Sequence, residues 1–257
     1  MMRFHRRLGA AILFLFVGTS LLGAIEKRVV SRDDRVYEAF PDVTLTPSGT
    51  LIVVYRECMS HSPFPFSRLV VRRSLDGGMN WSNRKILLET VVSAELVEKA
   101  RSWLPEDSLA GYQETLGRIQ EPWKKRASIN GSQIITLTDG SLMLVADIRT
   151  WDNEGNVRWV NKMWRSSDDG VTWSTPVDLP LDSEGVDPQL TQLRDGRILL
   201  SLGLASKSGE TKGMDVPGIT FSSDQGKTWS PFVILPRDEG SREIDETGFV
   251  ELDDGTL

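Results

Sequence analysis

One eight-residue pattern recurs three times and limits what this chain can fold into. Ser74-Leu-Asp76-Gly-Gly78-Met-Asn80-Trp81, Ser166-Ser-Asp168-Asp-Gly170-Val-Thr172-Trp173 and Ser222-Ser-Asp224-Gln-Gly226-Lys-Thr228-Trp229 all read S-x-D-x-G-x-[TN]-W. An Asp carboxylate accepts hydrogen bonds from the backbone N–H groups that follow it, which closes a tight turn. The Gly supplies a positive φ that other residues resist. The Trp then opens the next strand with a large apolar face. A strand-like run precedes each copy, at 69–73, 161–165 and 218–221.

A second pattern interleaves with the first. Leu45-Thr-Pro-Ser48-Gly49-Thr-Leu51, Leu137-Thr-Asp139-Gly140-Ser-Leu142, Leu193-Arg-Asp195-Gly196-Arg-Ile198 and Leu252-Asp-Asp254-Gly255-Thr-Leu257 each read as strand, tight turn, strand. A unit is therefore two hairpins in series. Four antiparallel strands per unit make a propeller blade. The spacing predicts blade one over about 40–88, blade two over 127–179 and blade three over 187–235, with a fourth starting near 246. Propellers close with ~4–8 blades, so about three and a half blades read as part of a longer chain.

The aspartates Asp76, Asp168 and Asp224 stand 92 and 56 residues apart. The longer gap holds an insertion at about 91–125. There Val92, Leu96, Val97, Ala100 and Leu104 recur at helical spacing, Ser93 can cap the start and Pro105 ends the run. A second short helix is expected from about 109 to 119.

Residues 1–24 read as a signal peptide. Arg3, His5, Arg6 and Arg7 precede an apolar run from Leu8 to Val17 and a small or apolar segment to Ala24. The expected mature domain is 25–257, secreted or periplasmic, with no membrane association apart from export. The 257 residues are 39% hydrophobic and 26% charged, with mean hydropathy −0.23, which argues against disorder. A net charge of −6 argues against a nucleic-acid partner, because phosphate neutralisation needs clustered Lys and Arg. The lone Cys58 excludes an internal disulfide. Only two histidines occur and no ligand-spaced cluster exists, so neither a metal nor another cofactor is expected. Oligomeric state is not legible.

In a four-stranded blade, the start of the first strand and the end of the second lie at the same end of the central funnel. Those stretches hold Glu38 and Asp42, then Arg56 and Glu57; Arg126, Asp147 and Arg149; Asp187; and Glu246. Carboxylate pairs can serve as acid and base on a glycosidic bond. Arginines can fork onto an anionic substrate. His61 reads as a solvated loop residue. Asp76, Trp81, Asp168, Trp173, Asp224 and Trp229 read as structural, since their turns lie at the blade periphery.

The alternation of these turns resembles the Asp-box repeats of the sialidase (neuraminidase) superfamily. Two segments carry the likeness further: Phe40-Pro41-Asp42 through Tyr55-Arg56-Glu57, and Glu246-Thr-Gly-Phe-Val-Glu-Leu-Asp-Asp-Gly-Thr-Leu257. The resemblance implies an all-β, six-bladed propeller of four-stranded antiparallel blades that cleaves terminal sialic acids from glycans. It implies a tyrosine nucleophile polarised by a glutamate, an aspartic acid/base and three arginines. Glu246 matches the glutamate. Ala39 stands where the first arginine would be, and Met59 to Ser67 holds no Asp or Glu where the acid/base would be. The tyrosine and remaining arginines would fall beyond Leu257. Asp42 and Glu57 are then the candidate catalytic carboxylates beside Glu246, with Glu38, Arg56, Arg126, Asp147, Arg149 and Asp187 on substrate. A carbohydrate-binding propeller without catalysis and a protein-binding scaffold are the alternatives.

Overall fold

A computed structural model describes residues 27–62, 64–205, 215–236 and 247–257. The signal-peptide reading of 1–24 and the Glu246 assignment lie outside the described residues.

Among the described residues, twelve strands form three four-stranded antiparallel sheets, each built from consecutive strands. The first holds β1 (Tyr37–Leu45), β2 (Leu51–Cys58), β3 (Phe66–Ser74) and β4 (Lys85–Val91). The second holds β5 (Ala127–Thr136), β6 (Leu142–Trp151), β7 (Val157–Ser166) and β8 (Val177–Asp178). The third holds β9 (Gly185–Gln192), β10 (Ile198–Ala205), β11 (Asp215–Ser222) and β12 (Val233–Ile234). The inner strands β1, β5 and β9 lie side by side, so the sheets stack as successive propeller-like blades.

The repeated turns close as their chemistry dictates. Ser74, Ser166 and Ser222 hydroxyls accept the Gly78, Gly170 and Gly226 N–H groups at 2.8, 3.0 and 2.7 Å. Asp76, Asp168 and Asp224 accept the Asn80, Thr172 and Thr228 N–H groups, each at 2.8 Å. The Asn80 amide and the two Thr hydroxyls add a second bond to each carboxylate. Trp173 and Trp229 donate back to the Gly170 and Gly226 carbonyls, while the Trp81 indole N–H is buried without an acceptor. The four Asp-Gly or Ser-Gly turns share one geometry, and in the last Leu252 N–H reaches Thr256 O at 2.8 Å.

Two apolar seams join the blades, and β6 contributes to both. Leu142, Leu144, Ala146 and Ile148 pack with Ile52, Val54, Leu69 and Val71 of blade one. Met143 and Val145 pack with Ile198, Leu200 and Leu202 of blade three. Strand alternation sends successive side chains to opposite faces, so a middle blade reads apolar on both. Burial of each such Leu or Ile contributes roughly 1.5–3 kcal/mol.

Polar staples set the blade register. Asp42 Oδ2 accepts the Ile134 N–H at 2.8 Å, and Gln133 Oε1, one blade on, accepts the Leu190 N–H. At the other end of the seam, Arg73 Nε donates to the Asp169 carbonyl at 2.5 Å and Arg165 donates to the Gln225 carbonyl. Asp169 and Gln225 hold φ of 54° and 61°, which turns each carbonyl toward the preceding blade.

The stretch after blade one forms α1 (Ala94–Ala100) and α2 (Glu106–Arg118), with 3-10 turns at Arg101–Trp103 and Pro122–Arg126. The Ser93 hydroxyl accepts the Leu96 N–H at 3.3 Å, an N-cap. Val97, Tyr112 and Ile119 cover Phe66, Val91 and Val92 at the top of β3 and β4. No helix among the described residues is long and apolar enough to cross a membrane.

Candidate active site at the blade axis

The inner strands share an irregularity near their starts. Register shifts fall between Ala39 and Asp42 and between Ile129 and Ser132, and β9 shifts against β10 where Ser201 pairs with Gln189 and Gly203 with Val186. Phe40 and Asp187 both hold φ of 52° there. Such β-bulges re-aim side chains and are enriched beside active sites. Phe40, Gly131 and Asp187 each stand nine residues before the turn glycine of their blade. Together with Pro41, Asp42, Gln133, Pro188 and Gln189 they line a cavity of about 280 Å³.

Behind Gly131 sits a carboxylate pair. Asp147 on β6 is fully buried, and the Gly131 N–H donates to its Oδ1 at 2.6 Å. Asn130 Nδ2 lies 3.2 Å from both Asp147 Oδ2 and Asp187 Oδ1, so those oxygens are at most twice that distance apart. A methyl group at Gly131 would sit 3.2 Å from an oxygen of each carboxylate. Burial, then the Asp187 charge, pushes Asp147 up to about 7, against bonds from Gly131 and Asn130 that favour the anion. A carboxyl that keeps its proton near neutral pH is the condition for acid/base work.

Arg56 closes the network from blade one. Its guanidinium donates to the Ile129 and Asn130 carbonyls at 3.2 Å and to Asn130 Oδ1 at 3.4 Å. It also reaches the His61 carbonyl at 2.6 Å and lies 4.6 Å from the Phe40 ring centroid. The His61 ring also meets Phe40, tilted at 58° with ring centroids 5.6 Å apart. Asn130 thus joins a buried guanidinium to two carboxylates. Sequence reasoning did not single it out. The signal was present: aligning the repeats on their turn glycines puts Asn130-Gly131 level with Ala39-Phe40 and Val186-Asp187, the bulged positions of the other two blades.

The other sequence-derived residues are dispersed. Asp42 lines the cavity, but both its oxygens are engaged, by Val43 N–H at 2.9 Å and by Ile134 N–H on the seam; burial raises its proton affinity. Glu57, neighbour of Arg56, points to the opposite face by strand alternation. It is wholly buried, 3.0 Å from Arg84 and 3.8 Å from Arg68, and is not brought to the pair. Glu38 accepts the Ser31 hydroxyl at 2.5 Å. Arg126 donates to the Asp152 carbonyl and Asn153 Oδ1 and holds the β6–β7 hairpin. Arg149 stands two residues beyond Asp147 against Trp159 and Trp151. No group of three His, Cys, Asp or Glu among the described residues is placed to hold a metal.

No protein-family model and no curated protein matches this sequence. Solved structures match it in fold. A protein of unknown function from Dyadobacter fermentans superposes with a TM-score of 0.60 at 18% identity, over 90% of this chain and 63% of its own. The intramolecular trans-sialidase from Ruminococcus gnavus gives 0.51 at 15% identity, over 79% of this chain and 61% of its own. Zg3597, a family 117 glycoside hydrolase from Zobellia galactanivorans, gives 0.51 at 13% identity, over 84% and 62%. The chain shares the propeller-like fold of these proteins. It spans about three fifths of the length of each of these neighbours.

Proposed function

We propose that this chain is the exported part of a six-bladed Asp-box propeller that hydrolyses terminal glycosidic bonds of glycans, in the manner of an exo-sialidase. The observation that carries the reading is the Asp147–Asp187 pair, bridged by Asn130 at the bulged starts of the inner strands. Asp187 lines the cavity and meets the substrate. Asp147, buried behind it, is the neighbour whose proton sets how readily Asp187 gives or takes one, since two close carboxyls titrate as a unit. Arg56, through Asn130, orients the pair. Glu246 keeps the role the resemblance implies, polarising a tyrosine nucleophile. The fold shared with a trans-sialidase and a family 117 glycoside hydrolase supports glycan as the substrate class.

The test is turnover by the full chain on a panel of fluorogenic sialosides and neutral glycosides. Asp187→Asn keeps the shape of the site and removes its titrating group; turnover is expected to fall at least a hundredfold with the melting temperature retained. Undiminished turnover in that variant ends the reading. Sugar binding by the wild-type chain without turnover of any glycoside in the panel favours the non-catalytic carbohydrate-binding propeller instead.

A further inference from the structure

Arg149 has an environment no other described arginine shares. Its guanidinium carbon lies 4.6 Å from the Trp159 ring centroid and 5.9 Å from that of Trp151. Its Nε is buried with no acceptor. Among the described residues it makes no hydrogen bond and no ion pair, whereas Arg56, Arg68, Arg84 and Arg118 make several each. The charge that acts on it is Asp147, two residues back on β6, through space and without a hydrogen bond or ion pair. Glu184, beside Trp159, is engaged elsewhere: it pairs with Arg158 and accepts the Trp159 N–H at 3.1 Å.

The surround is tied by hydrogen bonds. Trp151 and Trp159 flank a hairpin loop in which Asp152 accepts the Glu154 and Asn156 N–H groups at 2.9 and 2.8 Å. Arg126 ties the same loop down from outside the sheet. A half-buried guanidinium held against two indoles, with N–H donors that no protein group accepts, is completed by an anion that takes them, because an arginine stays ionised even when burial opposes it. Indole faces also accept the apolar face of a pyranose ring.

We infer that Arg149, Trp151 and Trp159 form a subsite on the rim of blade two for an anionic sugar unit, carboxylated or sulfated, next to the sugar held at the blade axis. Arg149 and Asp147 share one face of β6 two residues apart, about 7 Å along the strand, which is the reach of one further sugar ring. The guanidinium forks onto the anionic group and the indoles carry the ring. The subsite rests on the glycosidase reading for the choice of a glycan as ligand and for the sugar beside it; its contacts are separate from the Asp187 chemistry.

Titration of the full chain, followed by tryptophan fluorescence and calorimetry, tests this with three probes: lactose, 3′-sulfolactose and a glucuronic-acid-terminated disaccharide. At least one anionic probe is expected to bind at least tenfold tighter than lactose, and comparison of the two separates sulfate from carboxylate. Arg149→Gln is expected to abolish that preference. Arg149→Lys, which keeps the charge and loses the planar fork, is expected to retain part of the preference and controls for folding. Asp187→Asn is expected to leave the preference intact even where turnover is lost, so failure of the catalytic reading and failure of the subsite give different results. Equal affinity for neutral and anionic probes in the wild-type chain, or an unchanged preference in Arg149→Gln, overturns the inference.

Discussion

At the scale of single residues, the site depends on what is missing at position 131. The Gly131 N–H donates to Asp147 at 2.6 Å while the absent side chain leaves room for the oxygens of both carboxylates. Gly131→Ala places a methyl 3.2 Å from each. That contact is tight enough that one carboxylate must move by a few tenths of an ångström. Because displacement of reacting groups by ~1 Å costs about a hundredfold in rate, the expected outcome is a roughly tenfold loss of turnover. The melting temperature should move by only a few degrees, since no apolar contact is removed. Steady-state kinetics beside a thermal melt checks this; unchanged turnover would mean the pair is not held where the substrate reacts. Asn130 makes a companion case. Its amide donates to two carboxylates and its carbonyl oxygen accepts from Arg56. Asn130→Asp adds a third carboxyl to the cluster and is expected to shift the alkaline limb of the pH–rate profile upward, a change that simple loosening of the fold would not produce.

At the scale of elements, the S-x-D-x-G turns differ in what they touch. All three hold their own backbone alike. The Asn80 N–H, and the Thr172 and Thr228 hydroxyls, lead the bonds that keep Asp76, Asp168 and Asp224 at about 2. The Asp168 turn also seats blade two on blade one: its neighbour Asp169 receives Arg73 on its carbonyl and the Ser48 hydroxyl on its carboxylate at 2.7 Å. The Asp76 turn carries no such staple among the described residues. Asp168→Ala is therefore expected to lower the melting temperature more than Asp76→Ala, with Asp168→Asn, which keeps one acceptor, in between. Equal losses would show that the turns act only locally. This is also where the sequence was most readable. Each turn is closed by residues within eight positions of one another, so local chemistry alone decides it. The helices of the insertion were legible for the same reason, with apolar spacing and the Ser93 cap both visible. The staples were not legible, because Arg73 and Asp169 are 96 residues apart and nothing local marks them as partners. Asp42 shows the same gap: its type fits a catalyst, yet its place in the repeat is that of Gln133, a seam acceptor.

At the scale of the whole molecule, two sets of aspartates pull stability in opposite directions with pH. The turn aspartates have folded values near 2, below the ordinary 3.8, so the stability they contribute is complete above about 4 and is lost as pH falls toward 2. Asp147 has a folded value near 7, above the ordinary 3.8. Between those two values the unfolded chain releases the proton and the folded chain keeps it. Stability from this group is therefore full below about 4 and declines as pH rises to about 7, after which it is level. A linkage of this kind amounts to a few kcal/mol at most for one buried carboxyl. Together the two sets place maximum stability in mild acid, near pH 4–5, rather than at neutrality. Denaturant unfolding of the chain from pH 3 to pH 8 should trace that curve. Asp147→Asn retains an acceptor for the Gly131 N–H and removes the titration, so it should flatten the branch above pH 5 and leave the acid branch unchanged. A branch that stays equally steep in that variant would assign the loss to another group and would leave Asp147 ionised in the folded chain, with no proton to lend to Asp187.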